Sequence, residues 1–433
     1  MFSHTHKIQV LSQNNELIYS LYLLLLLLLY PNGESISSIA IYAIIFVSSF
    51  KFNMLPIVFL GCGNYLPRIF GVSPLVIGFL IMIVIIIINS FLKTGLKFPI
   101  TQFKWSYFVI MTLWCFITGF IYNDLNFFTN FLTALVYCIG VAFYQKTMNI
   151  SADNIFKYFI FGMTTGVFIA LLIQLGIPGY EGYYKGYDQF RLAIGERSDP
   201  NSSGLMFAIL SVFLFLKTGE CFTKSTLKSI FFSALFMLSL YCLISTQSRG
   251  SFLSFVIVLS FFIFSKKMNG KYLINIFKFL LFIMIILAVS PQLQEVILEL
   301  WQSFYSRWII SEAGDGERLY LLEKSFQSFF MHPIFGESLE TFKIQFGHFP
   351  HNCFSDYMVT NGIIGIIFFF VFFIKPLFAI YDFRNIECLK KQYYCYLVCI
   401  INILFYSASN EKITFFLLLI LLFSFMEYAK NKV

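Results

Sequence analysis

Apolar runs of about 20 residues recur along nearly the whole chain, and a run of that length with few charges is what a helix needs to cross a bilayer. They fall near 13–30, 35–50, 73–92, 103–122, 126–144, 155–176, 200–216, 227–245, 249–265, 271–290, 352–375, 392–409 and 411–429. The stretch 52–70 is also apolar but is interrupted by Pro56, Gly61, Gly63 and Pro67. Only 12% of the 433 residues are charged, about half the share of a soluble domain, so the chain has too little polar surface to cover itself in water. The expected fold is all-α: a polytopic transmembrane helix bundle of about 12–14 spans with one large helical loop outside the membrane. The chain then divides into N-terminal spans (1–176), central spans with short loops (177–290), the large loop (291–351) and C-terminal spans (352–433).

The net charge of +8 orients the chain in the bilayer and does not form the clustered patch that a nucleic-acid partner requires. Lys93, Lys97 and Lys104 share one connection, and Lys146 and Lys157 flank a second. Lys217, Lys224 and Lys228 fill a third, and Lys266, Lys267 and Lys271 a fourth. Arg384, Lys390 and Lys391 mark a fifth, and Lys430 and Lys432 the tail. Counting spans puts all six on one face, which the positive-inside rule makes cytoplasmic. His4, His6 and Lys7 put the start of the chain there too, so the number of crossings is even and 52–70 must cross or re-enter. Fourteen crossings satisfy this, or 12 if two short early runs do not span. The first run, 17–30, lacks a small-residue cleavage site and reads as a retained span. The nine cysteines are scattered without a CxxC pair and read as small buried hydrophobes.

The segments 177–199, 246–248 and 291–351 fall on the opposite face. The last is too long for a connector. Ser290-Pro291 signals a helix start, followed by Leu293, Val296, Ile297, Leu300, Trp301 and Phe304 at helical spacing. A Gly-rich break is expected at 313–316, then a second amphipathic helix over 317–331 with Leu319, Leu322, Phe326 and Phe329 on its apolar face. Pro333 and Gly336 end it. Both helices are expected on the outer rim, apolar face toward the bilayer.

The reactive residues gather on this same face. His332, His348 and His351 lie in the large loop, and Arg191 and Arg197 in the loop before Pro200-Asn201. Ser248-Arg249-Gly250 joins two spans. An arginine there opposes the charge bias and needs an anionic partner. Guanidinium groups make permanent, bidentate bonds to phosphate, and an imidazole can act as general base near neutral pH. Together they suit a lipid-linked pyrophosphate. Structural alternatives stand beside each reading. Arg191 and Arg197 could be interfacial anchors, and Arg249 could pair with Glu312. His351-Asn352 could cap a helix, and His332-Pro333 could be a turn. Glu312, Asp315 and Glu317 could form a divalent-ion site or a solvated acidic loop. A transporter would place ionisable groups at mid-membrane, often in repeated halves. The span interiors here carry Asn89, Asn130, Gln174, Asn275 and Asn402 but almost no charge, and no internal repeat is visible.

Four segments in order resemble the bacterial O-antigen polymerase and O-antigen ligase superfamily. They are Arg197-Ser198-Asp199-Pro200-Asn201-Ser202-Ser203-Gly204 and Thr246-Gln247-Ser248-Arg249-Gly250-Ser251, then Glu317-Arg318-Leu319 with His332-Pro333-Ile334-Phe335-Gly336, and lastly His351-Asn352 with Asn361-Gly362-Ile363-Ile364-Gly365. The resemblance spans about 190–375. Glu337 departs from it, standing where the family often has a second small residue, and is expected to alter only the turn. The resemblance implies an inverting, metal-independent glycosyltransferase without cofactor, in the bacterial inner membrane with its active site facing the periplasm. Its donor would be a glycan on undecaprenyl pyrophosphate. An O-antigen polymerase would pass that glycan to a lipid-linked repeat unit and a ligase would pass it to lipid A–core. A lipid-oligosaccharide flippase is the reading from another class. A chain-length regulator would be a further partner. By resemblance Arg197 and Arg249 hold the leaving pyrophosphate and His351 orients or deprotonates the acceptor. Arg191, Arg318, Asn201, Asn352 and His348 are the remaining candidates for substrate contact.

Overall fold

The computed structural model describes residues 36–62, 74–92, 105–174, 200–221, 225–265, 313–386 and 389–405, with single positions at 18, 192, 298, 302 and 305. The expected spans 13–30, 271–290 and 411–429, and the expected first helix of the large loop, lie outside or almost outside these residues. Among the described residues every regular element is helical. Uniformly apolar segments in lipid must satisfy each backbone N–H and C=O within themselves, and a helix does this. The elements are α1 (Ile36–Ser49), α2 (Leu55–Cys62), α3 (Pro74–Leu92), α4 (Trp105–Ile121), α5 (Asn126–Met148), α6 (Ala152–Gln174) and α7 (Pro200–Cys221). They continue with α8 (Thr226–Ser245), α9 (Arg249–Ser265), α10 (Ala313–Met331), α11 (Leu339–Phe346), α12 (Cys353–Phe369), a π turn (Phe370–Ile374), α13 (Lys375–Ala379), a 3-10 turn (Tyr381–Asn385) and α14 (Lys390–Phe405).

Among the described residues, five helical runs are long and apolar enough to cross a membrane: Asn126–Met148, Ala152–Ile173, Pro200–Cys221, Thr226–Ser245 and Cys353–Asn385. Shorter apolar helices, Ile39–Ser49, Leu75–Phe91, Val109–Ile121 and Arg249–Phe264, accompany them. The chain is a polytopic helical membrane protein. Its helix ends follow local chemistry. Asn149, left-handed at φ 53°, closes α5 while the Ile150 N–H bonds the Gln145 carbonyl at 3.0 Å, a glycine-like C-cap that asparagine tolerates.

Helix α2 is buried on every side. Eight residues rise about 12 Å, so α2 alone does not cross, and residues 63–73 lie outside the described part. Gly61 and Gly162 let α2 and α6 touch backbone to backbone. A Cβ at Gly61 would stand 2.1 Å from the Phe159 carbonyl oxygen, and one at Gly162 2.1 Å from that of Val58. Small residues at helix crossings are how membrane bundles gain contact area without a hydrophobic driving force.

Cross-links at both ends of the bundle fix its polarity. At one end Lys391 Nζ lies 2.5 Å and Lys217 Nζ 3.2 Å from the Glu220 carboxylate. Gln392 donates to Asp153 (3.1 Å) and Lys390 Nζ stands 4.9 Å from the centre of the Phe262 ring. Lys390 and Lys391, read from sequence as charges of a cytoplasmic connection, are buried and pin α14 to α9 and α7, while Gln392 ties it to α6. At the other end Asn201, Ser248, Ser251 and Asn402 meet. Helices α7 and α9 therefore run toward the lysine end and α14 runs back.

The expected single span over 352–375 proves to be a hairpin. Gly362 adopts φ 56°, ψ −140°, and the chain doubles back there. Phe354 packs on Phe369 and Phe370 at 5.5 and 6.1 Å between ring centres, and Tyr357 stacks on Phe368 at 5.7 Å. In an unbroken helix residues 354 and 369 would lie about 22 Å apart. The arm before Gly362 climbs to the tip. The arm after it descends beside α14, where the Tyr396 hydroxyl donates to the Phe373 carbonyl at 3.0 Å. The tip lies at the asparagine end, against Trp114, Cys115 and Thr118 near the end of α4.

The large loop differs from expectation in two ways. Residues 313–316 open α10 and do not break it. The buried stripe of α10 is Leu321, Ser325 and Ser328, while Leu319 and Phe326 of the expected face are exposed. Ser325 and Ser328 are spaced for close approach to the hairpin, and the larger apolar side chains point away from the protein. Helix α11, not expected from the sequence, starts at Ser338, whose hydroxyl accepts the Thr341 N–H at 3.0 Å, a standard N-cap.

Candidate active site

The turn between α8 and α9 is built from short-range hydroxyl bonds. Thr246 Oγ1 donates to the Leu243 carbonyl at 2.7 Å and accepts the Ser248 N–H at 3.3 Å. Gln247 between them is buried at φ 50°, a conformation uncommon outside glycine and held where surrounding contacts over-determine it. The strained elbow aims Arg249 at the first position of α9, half-buried. The positive end of the α9 dipole adds to its charge. Asn201, at the start of α7, accepts from the Ser248 hydroxyl at 3.0 Å through Oδ1, and its carbonyl accepts from Ser251 at 3.2 Å. Gly204 permits this approach: a Cβ there would come within 2.8 Å of Ser248 Cβ. The Leu192 N–H reaches the Ser245 carbonyl at 2.9 Å, tying the loop that carries Arg191 and Arg197 to the elbow. Those two arginines lie outside the described residues.

The histidines approach from the large loop. The His348 and His351 rings stand 6.5 Å apart, inclined by 29°. His348 is exposed and His351 half-buried. The Asn352 side chain accepts the Ser355 N–H at 2.7 Å, so it caps α12. His351 precedes the climbing arm of the hairpin. It therefore sits about 13 Å of helix below the tip, near the level where Phe354 meets Phe369 and Phe370. Asn402 lies two turns beyond Tyr396 on α14, and Phe373, bonded to Tyr396, lies one turn below Phe370. Arg249, two residues before Ser251, thus lies at the asparagine end, and His351 lies about two helical turns below it in depth, near the level of Tyr396. Arg318 is exposed on α10.

His332-Pro333-Ile334-Phe335-Gly336 forms the latch for the hairpin tip. The Ile363 N–H donates to the Pro333 carbonyl at 2.8 Å, and the Glu337 N–H to that of Val359 at 2.6 Å. Tyr122 donates to the Gly336 carbonyl, and the Trp114 indole stacks on Phe335 at 5.2 Å. Glu337, expected to alter only the turn, is 2% exposed and accepts from the Ser328 hydroxyl, so it also fastens α10. Sequence reasoning missed Tyr122, Trp114 and Asn402, which are single polar or aromatic residues in apolar runs and carry no spacing signal. Among the described residues no cluster of three or more His, Cys, Asp or Glu side chains could hold a metal ion.

The described residues form a polytopic helical membrane protein with Arg249 beside the Asn201–Ser251–Asn402 cluster at one end of the bundle. Residues 234–370 match the O-antigen ligase family, which supports the resemblance of this part of the chain to the O-antigen polymerase and ligase superfamily. The matched segment runs from α8 to the descending arm of the hairpin and includes Arg249, Arg318, His332, His348 and His351, but neither Asn201 nor Asn402. The family points to a glycosyl-transferring membrane enzyme. No curated protein matches the chain.

Proposed function

We propose that the chain is an O-antigen polymerase of the bacterial inner membrane, transferring a growing glycan from undecaprenyl pyrophosphate to a lipid-linked repeat unit at the periplasmic face. The observation that carries the proposal is that Arg249, at the first position of α9, and His351, just before α12, both fall within the residues that match the O-antigen ligase family. In this reading the lysine end is cytoplasmic. Arg249 with Arg197, and Arg191 and Arg318 as further candidates by the family resemblance, neutralises the pyrophosphate as the glycosyl bond breaks. His351, with His348 beside it, takes the proton of the attacking hydroxyl. Attack opposite the leaving pyrophosphate inverts the anomeric carbon, and the chemistry asks for no metal. Asn201 and Asn352 hold the N-terminal turns of α7 and α12 that frame the site.

The family's description favours a second reading, an O-antigen ligase that moves the finished chain to lipid A–core. Deleting the coding region and resolving surface glycolipids on a gel separates the two. Loss of a polymerase leaves core bearing one repeat unit, loss of a ligase leaves bare core, and an unchanged ladder contradicts both.

A further inference from the structure

Asn402 lies on α14, in the part of the chain that the family match does not reach, and is 1% exposed. Its Nδ2 donates to Ser251 Oγ at 3.0 Å. Ser251 Oγ donates to the Asn201 carbonyl at 3.2 Å and stands 2.9 Å from Ser248 Oγ, which reaches Asn201 Oδ1 at 3.0 Å. Each hydroxyl has one proton to give. Asn402 donates to Ser251 and Ser251 to the Asn201 carbonyl, so the path from Asn402 to Asn201 runs through Ser251. The one proton of Ser248 has both Asn201 Oδ1 and Ser251 Oγ within reach. Accepting from Ser248 through Oδ1 also turns the Asn201 amide nitrogen to the opposite side.

The other half of the Asn402 amide is informative. Its Oδ1 is buried with no hydrogen-bond partner. An unsatisfied amide oxygen inside a membrane bundle is unfavourable, and a leucine would fill the same space without it, so stability does not account for an asparagine here. We propose that Asn402 is a positioning residue for glycan transfer. Its amide anchors Ser251 and, through it, the Asn201 carbonyl, and so holds the first turns of α7 and α9, with Asn201 and Arg249, in register for the donor pyrophosphate. This rests on the transferase reading of the site.

The test uses the full-length protein in lipid nanodiscs, turned over with undecaprenyl-pyrophosphate-linked repeat units extracted from the host's membranes. Asn402→Leu should lower kcat about tenfold with KM little changed, the signature of a lost transition-state contact. Its melting temperature should stay the same or rise, because the orphaned oxygen is gone. Asn402→Asp, similar in shape but without the amide donor, should lose activity too. Ser251→Ala should fall to a similar level and the double variant no further, as expected of residues acting through one network. Wild-type kcat in Asn402→Leu, or a melting temperature that drops in step with kcat, overturns the inference. Arg249→Ala in the same assay keeps the two ideas apart. If it is inactive while Asn402→Leu matches wild type, only the role of Asn402 fails. If it turns over normally, the reading of the whole site fails.

Discussion

Arg249→Ala is expected to reduce glycan transfer by about 100- to 1,000-fold, the range found when one preorganised donor to a developing anion is removed. The expectation follows from how the residue is held. Strain at Gln247 (φ 50°) and the bonds from Ser248 and Ser251 to Asn201 fix the backbone on both sides of Arg249. The guanidinium is therefore oriented before substrate arrives and needs little reorganisation when charge moves onto the leaving pyrophosphate. Arg249→Lys should recover only part of the loss, since an ammonium keeps the charge but not the planar fork. The side chain is half-buried at a helix start, and both variants should accumulate in the membrane at wild-type levels. Membrane abundance by immunoblot, with in vitro transfer measured on the same preparations, checks both halves of the expectation.

The second large effect is on folding. Gly362→Ala places a Cβ 2.5 Å from the Ile334 carbonyl oxygen and 2.6 Å from that of Pro333, two backbone atoms with no room to yield. It also imposes on alanine a backbone conformation at φ 56°, ψ −140° that is largely confined to glycine. The two penalties act together, and relief would require the Ile363–Pro333 hydrogen bond to break. The substitution should destabilise the protein by about 4 kcal/mol or more and lower its membrane abundance. Gly347 supplies the control. Its φ is +89°, but a Cβ there meets nothing within 4 Å, so Gly347→Ala should cost only about 1 kcal/mol, from backbone strain alone. Thermal unfolding in detergent, followed by fluorescence, should separate the two glycines clearly. Equal effects would mean that the latch does not hold the hairpin.

The membrane fold was legible because lipid leaves a chain few choices. Every described helix from α1 to α9, apart from the short α2, lies where an apolar run stands in the sequence, and capping residues such as Asn149 mark some of the ends. The hairpin was not legible. Residues 352–375 read as one apolar run, and its only internal sign of a reversal is Asn361-Gly362, a pair that often occurs in helices without breaking them. The inward face of α10 was not legible either. Small residues such as Ser325 and Ser328 take it so that backbones can approach, and two serines in an amphipathic helix carry no signal of what they pack against. Arg249 and His351 stood out as candidates in the sequence because a cation and an imidazole at the edges of apolar runs suit a phosphate and a proton transfer. The elbow and hydroxyl chain that hold Arg249 did not, because serines and asparagines in apolar helices look alike until their neighbours across the bundle are known.

A cryo-electron microscopy structure of the full-length protein in nanodiscs with undecaprenyl pyrophosphate addresses the site most directly. The pyrophosphate should lie within hydrogen-bonding distance of the Arg249 guanidinium, at the bundle end that holds Asn201 and Asn402, with the His351 imidazole facing it across the space left for an acceptor. Pyrophosphate density at the Lys391–Glu220 end, or bound away from Arg249 with His351 turned from it, would contradict the account.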